Sequence, residues 1–236
     1  MGGLVPGTPV HALASPLDFL QTSAASQLKT RRRDIALQGK LAFFIEDVIT
    51  AEEAHTLAAV GEALGFRDEA PGISTPPGMR MNQSVHWVAD PAPMDQLLLR
   101  FQHLLPPNMG GHSLHPGLSH RINMYRYKEG DVFRPHTDGD WPAYALSPDR
   151  QTMMEVNGLR SRLTMLLYLN DTADGVQGGA TRLFDNAGGH VDIEPRKGSA
   201  LFFCHGNGPD SVLHEGRTIT GTHPKYVARI NVMYSA

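Results

Sequence analysis

Apolar and polar residues alternate along three stretches in the second half of the chain. Because successive side chains of a strand point to opposite faces, residues 162–169 would place four apolar residues on one side and a mixed polar set on the other. Residues 121–127 and 225–234 alternate in the same way. The polar sides comprise Arg162, Thr164, Leu166 and Tyr168; Arg121, Asn123, Tyr125 and Tyr127; and Lys225, Val227, Arg229, Asn231 and Met233. They either meet water, as is common in antiparallel sheets, or line the mouth of a barrel, and alternation alone leaves both readings open.

Further short apolar runs indicate that the chain is mainly β. Strands are predicted at about 41–45, 121–127, 162–169, 181–184, 199–204 and 225–234, with segments rich in Gly, Asp, Asn and Pro between them. Thr50 opens a helix with Glu53 three residues later, and Gly65 ends it. A second helix covers about 91–104. The pattern predicts an α+β fold in which N-terminal helices buttress an antiparallel sandwich or barrel.

The chain divides into an arm and a domain. Residues 1–38 are rich in Gly, Pro, Ser and Ala, which predicts a flexible N-terminal arm, and residues 39–236 are long enough for a single domain with one core. Residues 66–90 and 139–160 read as long irregular stretches, which often form binding loops. From these stretches Arg80, Asn82 and Trp141 are candidate substrate contacts.

Composition narrows the possible partners. The formal net charge of −3 gives no electrostatic reason to expect nucleic acid or an anionic membrane. Cys204 is the one cysteine, so no intrachain disulfide can form and a reducing compartment is expected. No apolar run is long enough to span a bilayer and the N-terminus does not resemble a secretory signal, so the cytoplasm is the expected location. Oligomeric state is left open.

A His-x-Asp pattern supplies candidate metal ligands. If the segment is extended, His136 and Asp138 share a face. A third ligand must come from elsewhere, and His214 is the candidate, with His205 and His223 as alternatives. Two histidines and one carboxylate suit non-haem Fe(II), whereas a structural zinc site usually has four ligands that include cysteine. The pattern is short, and 12 histidines make a chance match easy.

Five motifs in a fixed order give a more specific signal. They are residues 127–130 leading to 133–138, residues 162–171, residues 178–181, residues 195–203, and His214–Gly216 followed by Lys225 and Tyr226. In this order they resemble the prolyl 4-hydroxylase-like branch of the iron(II)- and 2-oxoglutarate-dependent oxygenases. The resemblance covers residues 118–236, and the strand and capped helix at 41–64 extend it.

The resemblance implies a fold and a reaction. The fold is a double-stranded β-helix, or jelly roll, with iron held at its mouth by His136, Asp138 and His214. The reaction consumes 2-oxoglutarate and O2, with ascorbate as a reductant, releases succinate and CO2, and hydroxylates an unactivated C–H bond of a prolyl or other peptidyl residue. The alternatives are an oxygenase that acts on a free amino acid or small metabolite, and a non-catalytic jelly-roll module that retains a metal.

The resemblance also implies a cosubstrate pocket. Tyr127, Thr164 and Tyr168 match positions that line it. A basic residue on the strand after the distal histidine holds the far carboxylate of 2-oxoglutarate, and Lys225 matches that position. Lys225 follows His214 by eleven residues, about one more than the family pattern. Arg229 shares its strand face and is the alternative anchor.

Overall fold

The computed structural model describes residues 10–21, 28–70 and 75–236 of the chain. Within them lie two α-helices, α1 (Ala51–Leu64) and α2 (Pro91–Phe101), and fifteen strands. The strands are β1 (Val10–Ala12), β2 (Arg31–Asp34), β3 (Ala42–Glu46), β4 (Gln83–Val88), β5 (Asn108–Met109), β6 (His112–Leu118), β7 (Arg121–Tyr127), β8 (Phe133–His136), β9 (Pro142–Leu146), β10 (Met153–Tyr168), β11 (Thr181–Phe184), β12 (His190–Ile193), β13 (Ala200–Cys204), β14 (His214–Gly216) and β15 (Lys225–Ser235).

Two sheets form a jelly roll. The larger sheet has the order β1-β4-β7-β15-β10-β13-β3-β2, with β5, β6 and β9 attached beside this path. The smaller sheet has the order β12-β11-β14-β8. The predicted class, a mainly β jelly roll with helices beside it, is confirmed.

The alternating strands expose neither face to water. Leu163, Met165 and Ile230 belong to a large core that also contains buried residues of both helices, such as Leu57 and Leu97. The opposite, polar face of the same strands is buried as well, and it contributes to a second apolar cluster and to a polar cavity. The interior reading of the polar faces is therefore the correct one.

The helices buttress the larger sheet as predicted. Thr50 caps α1, and the reciprocal hydrogen bonds between Thr50 and Glu53 complete a capping box. Glu53 also forms an ion pair with Arg100 of α2, with Nη1 and Oε2 2.7 Å apart. Both side chains are almost fully buried, so this pair ties the two helices together beneath the sheet.

Two expectations about irregular segments need correction. Residues 31–34 of the expected arm pair with β3, residues 10–12 pair with β4, and Phe19 and Leu20 are buried, so these parts are packed on the domain. Residues 1–9 and 22–27 lie outside the described residues. Strands β4, β9 and the start of β10 occupy much of the stretches expected to be irregular, while residues 71–74 lie outside the description. Both errors arise because short or polar strands are stabilised by neighbours distant in sequence.

No helix among the described residues has the length and apolar character required to cross a membrane.

Candidate metal centre and cosubstrate pocket

Strand pairing in the smaller sheet brings the candidate ligands together. His136, at the end of β8, lies opposite His214, at the start of β14, and their ring centroids are 4.2 Å apart. Asp138 follows β8 by two residues, while Thr137 between them is exposed. One ligand atom from each of His136, Asp138 and His214 lies within 4.8 Å of the others. The structure thus groups the three predicted residues.

Backbone carbonyls fix the orientation of both imidazoles. His136 Nδ1 is 2.8 Å from the carbonyl oxygen of Arg134, and His214 Nδ1 is 3.0 Å from that of Val212. Since a carbonyl can only accept, each Nδ1 carries the proton and each Nε2 presents a lone pair. Burial lowers the pKa of His136 to about 3 and also lowers that of His214. Neutral imidazoles with Nε2 free are the form that binds a metal.

Asp138 is held by a cation and a hydroxyl. Arg229 Nε lies 3.0 Å from Asp138 Oδ2, and the Thr164 hydroxyl donates to the same oxygen at 2.7 Å. Burial would raise the pKa of Asp138, but Arg229, with His214 and His136, holds that pKa well below its ordinary value. The carboxylate is therefore ionised, as a metal ligand must be.

A hydrogen-bond relay continues inward from Asp138. Because the Thr164 hydroxyl donates to the carboxylate, it must accept from His205 Nδ1, 2.7 Å away. Burial lowers the pKa of His205 to about 3, so its other nitrogen, Nε2, accepts from the Ser161 hydroxyl at 2.7 Å. Ser161 Oγ in turn accepts from the backbone N–H of Trp141 at 2.8 Å. Every donor in this relay has one acceptor, and the relay fixes the side chain of Asp138.

Lys225 lies in a cavity that begins at the three candidate ligands. The other lining residues are Tyr125, Tyr127, Phe133, Leu166, Thr181, Gly216, Val227 and Arg229. The ammonium of Lys225 donates to the Gly179 carbonyl at 2.5 Å and lies 4.5 Å from the centre of the Tyr127 ring. Lys225 is 1% exposed. Burial lowers its pKa to about 7, while the negative charge of Glu194 acts in the opposite direction.

The Gly178-Gly179 motif allows the Lys225 side chain to reach the Gly179 carbonyl. Both residues have positive φ, 72° and 73°. A Cβ atom on Gly179 would lie 2.3 Å from Ile219 Cδ1 and 3.2 Å from Lys225 Cδ. Glycine at this position therefore lets the backbone carbonyl reach the lysine.

The remaining predicted site residues occupy different places. Thr164 contacts Asp138 and is not among the residues that line the cavity, and Tyr168 donates to Thr181 Oγ1 at 2.8 Å. Arg80 donates to the Asn82 side chain at 2.7 Å and pairs through its backbone with Phe133, so this pair borders the cavity wall. Trp141 reaches the site through Ser161.

Two buried histidines near the centre have roles that the sequence did not predict. His205 was considered as a ligand, although the structure assigns it to the relay. No role was predicted for His86 on β4, which is fully buried and accepts from Arg121 Nη2 at 2.8 Å. The alternation of β4, in which Val85 and Trp87 are apolar and flank His86, was the signal that could have found it. His223, the other alternative ligand, is exposed.

A comparison with family models gives one match. Residues 122–233 match the model described as the 2OG-Fe(II) oxygenase superfamily. No curated protein matches the chain in sequence.

Solved structures share the fold. A viral collagen prolyl hydroxylase from Paramecium Bursaria Chlorella virus-1, determined with 2OG, superposes with a TM-score of 0.56 and 17% identity over 86% of this chain and 100% of that chain. A prolyl-4-hydroxylase from Pseudomonas putida superposes with a TM-score of 0.53 and 18% identity, over 89% of this chain and 95% of that chain. A prolyl hydroxylase from Trichoplax adhaerens, solved in complex with a hypoxia inducible factor peptide fragment, superposes with a TM-score of 0.50 and 16% identity. The match covers 92% of this chain and 80% of that chain. At these identities the likeness is one of fold.

Proposed function

We propose that the chain is a 2-oxoglutarate-dependent dioxygenase of the 2OG-Fe(II) oxygenase superfamily, the family whose model matches residues 122–233, and that it hydroxylates an unactivated C–H bond at the centre described above. The observation that carries the proposal is the convergence of His136, Asp138 and His214, with both Nε2 atoms free. Such a donor set fits Fe(II) and leaves coordination positions for other ligands. The products are succinate, CO2 and the hydroxylated substrate.

Iron and 2-oxoglutarate supply the oxidising chemistry when they are bound. The chain's own contribution is to hold and orient them. His136, Asp138 and His214 would hold the metal, and the Thr164 hydroxyl keeps the Asp138 carboxylate in place. Tyr125 and the other rings that line the cavity shield it from water. Ascorbate is proposed as the reductant that keeps the iron in its ferrous state.

We assign the anchor of the far carboxylate of 2-oxoglutarate to Lys225. Its ammonium is buried in the same cavity as the three ligands, where a carboxylate would form a charge-assisted hydrogen bond. Arg229 touches the ligand Asp138 itself. Two methylene groups separate the far carboxylate of 2-oxoglutarate from its chelating end, so a group beside Asp138 is too close to the metal for this role. Tyr127 and Thr181 line the same cavity as these two cations.

The substrate is proposed as a peptidyl residue or a small molecule. The shared fold with prolyl hydroxylases, one of them solved with a peptide, supports the first. The basic inner face beside the metal, described in the next subsection, supports a small molecule. On either reading Arg80, Asn82 and Trp141, which surround the cavity wall and the relay, are the proposed substrate-side residues.

Replacement of one ligand tests the proposal. With Fe(II), ascorbate and O2, the wild-type protein should release succinate from 2-oxoglutarate, slowly without substrate and faster with it. His136→Ala removes one of the three ligands and should abolish this release while the protein stays folded, as followed by circular dichroism. His223→Ala, which removes an exposed histidine, is the matched control and should leave succinate release unchanged. Succinate release by His136→Ala at the wild-type rate would contradict the proposal.

A further inference from the structure

A polar row crosses the inner face of the larger sheet beside the metal centre. His86 on β4 pairs in register with Asn123 on β7, and Asn123 pairs with Arg229 on β15. The flanking residues of each strand, such as Trp87, Met124 and Ile230, point into the core under the helices. His86, Asn123 and Arg229 therefore all project to the interior side that contains the metal centre.

Two groups of this row are buried donors without a partner. Arg229 is 4% exposed, and its Nη2 has no hydrogen-bond partner among the described residues. Its Nε, although 3.0 Å from Asp138, is not aimed well enough to form a hydrogen bond. His86 Nδ1 accepts from Arg121, since a guanidinium cannot accept, so the proton of His86 is on Nε2, which likewise has no partner in the described part of the chain. Buried donors without acceptors are costly, and together they point to a ligand that accepts.

The charges of the loaded site point to an anion. Asp138 is the anionic partner of Arg229, and the same carboxylate would also coordinate a bound Fe(II). The metal with Arg229 and Lys225 carries four positive charges, whereas Asp138 and the 2-oxoglutarate dianion carry three negative ones. The buried carboxylates Glu53 and Asp90 are engaged with Arg100 and Arg150. A third, Glu215, pairs with Arg217. At least one buried positive charge therefore exceeds the negative ones, even before the buried guanidinium of Arg121 beside Asn123 is counted, and such an excess is unfavourable without an anionic partner.

The position of Arg229 separates this anion from the cosubstrate. Lys225 and Arg229 are four residues apart on β15, which is about 13 Å along a strand. The far end of the cosubstrate lies toward Lys225, and the polar row lies at the other end, beside Asp138. We propose that Arg229 binds a carboxylate of the substrate, so that this enzyme oxidises a small carboxylic acid rather than an internal residue of a peptide. The inference rests on the proposed function, because it places substrate at the same metal.

Equilibrium binding to a form that does not turn over tests this inference. The protein is loaded with Mn(II) and saturating 2-oxoglutarate, and acetate or acetamide is titrated at constant ionic strength by calorimetry. The two probes have nearly the same shape and differ in charge. Acetate should bind at least about tenfold more tightly than acetamide, because a charge-assisted pair with a guanidinium is stronger than a neutral hydrogen bond. Arg229→Gln should abolish this preference, and Arg229→Lys should retain part of it.

The control variant removes an exposed arginine from β10, the strand that pairs with β15. Arg160→Gln eliminates a guanidinium that has no part in the metal centre or the cavity lining and should keep the preference for acetate. An acetate preference that persists in Arg229→Gln, or equal binding of both probes to the wild-type protein, overturns the inference. Failure of 2-oxoglutarate to bind the Mn(II) protein would instead refute the proposed function, so the two failures are distinguishable.

Discussion

At the scale of single residues, the centre is defined by which atom of each side chain remains free. In both ligand histidines Nδ1 donates to a backbone carbonyl, so Nε2 is available for metal. Both ring nitrogens of His205 are hydrogen-bonded to hydroxyl groups, so neither is free to bind a metal. The sequence alone could not make this choice, because it depends on the pairing of β14 with β8 and of β10 with β13. The resemblance to a family selected His214, and the structure gives the physical reason.

The hydroxyl of Thr164 offers a direct test of the relay. Thr164→Val keeps the shape of the side chain but removes the donor to Asp138 and the acceptor for His205. We expect metal affinity to fall about 10–100-fold, the usual effect of removing a group that orients a ligand. The measurement is the dissociation constant for Mn(II) in the variant and in Thr164→Ser, which should restore most of the affinity. Equal affinity in wild-type and Thr164→Val proteins would show that the relay does not position Asp138.

Lys225 should make the stability of the metal-free protein depend on pH. Its pKa is lowered from 10.5 to about 7 by burial, so the unfolded chain holds this proton more strongly than the folded one. Stability should therefore rise as pH increases from about 7 to about 10, and the cost of burying the charge is fully present below pH 7. Lys225→Met should stabilise the protein at neutral pH by about 1–4 kcal/mol and flatten this dependence.

Urea unfolding of both proteins at several pH values measures the effect. The same variant should lose affinity for 2-oxoglutarate in the presence of Mn(II), because the proposed anchor is gone. A variant that is less stable than the wild-type protein at neutral pH, or that binds 2-oxoglutarate equally well, would contradict the role assigned to Lys225.

At the scale of elements, strongly patterned segments were predictable and segments supported only by tertiary pairing were not. The capped helix from Thr50 and the strand at 181–184 were placed correctly from local signals. Strand β2 was missed because Arg31–Asp34 carries no apolar residue, and pairing with β3 stabilises it. Its Arg32 guanidinium lies 3.9 Å from the centre of the Phe43 ring, a contact that sequence spacing does not reveal.

For the site, too, the sequence predicted the polar faces of the strands but not whether those faces are buried. Alternation identified Thr164, Lys225 and Arg229 as polar positions on one face. It could not decide between water and a barrel interior, because that choice depends on whether a second sheet covers the face. The smaller sheet provides this cover, and it also supplies His136 and His214. The cover and both histidine ligands thus come from the same four strands.

At the scale of the whole molecule, the main hydrophobic core and the polar centre lie on opposite faces of the larger sheet. One face of the larger sheet packs on the helices and forms the main core, while its other face and the smaller sheet enclose the polar centre. Buried cations at both ends of the cavity, Lys225 and Arg229, are costly in the metal-free protein and are explained by anionic ligands. Metal and 2-oxoglutarate should therefore bind together at this centre.

Anaerobic titration of the metal-free protein with Fe(II) and 2-oxoglutarate tests this most directly. Chelation of Fe(II) by the oxo and adjacent carboxylate groups gives a weak visible metal-to-ligand charge-transfer band. We predict that the band develops with the wild-type protein, is absent with His136→Ala, and requires much more 2-oxoglutarate with Lys225→Met. Binding of iron by the wild-type protein with no band at any 2-oxoglutarate concentration would contradict the account and favour a module that retains a metal without oxygenase chemistry.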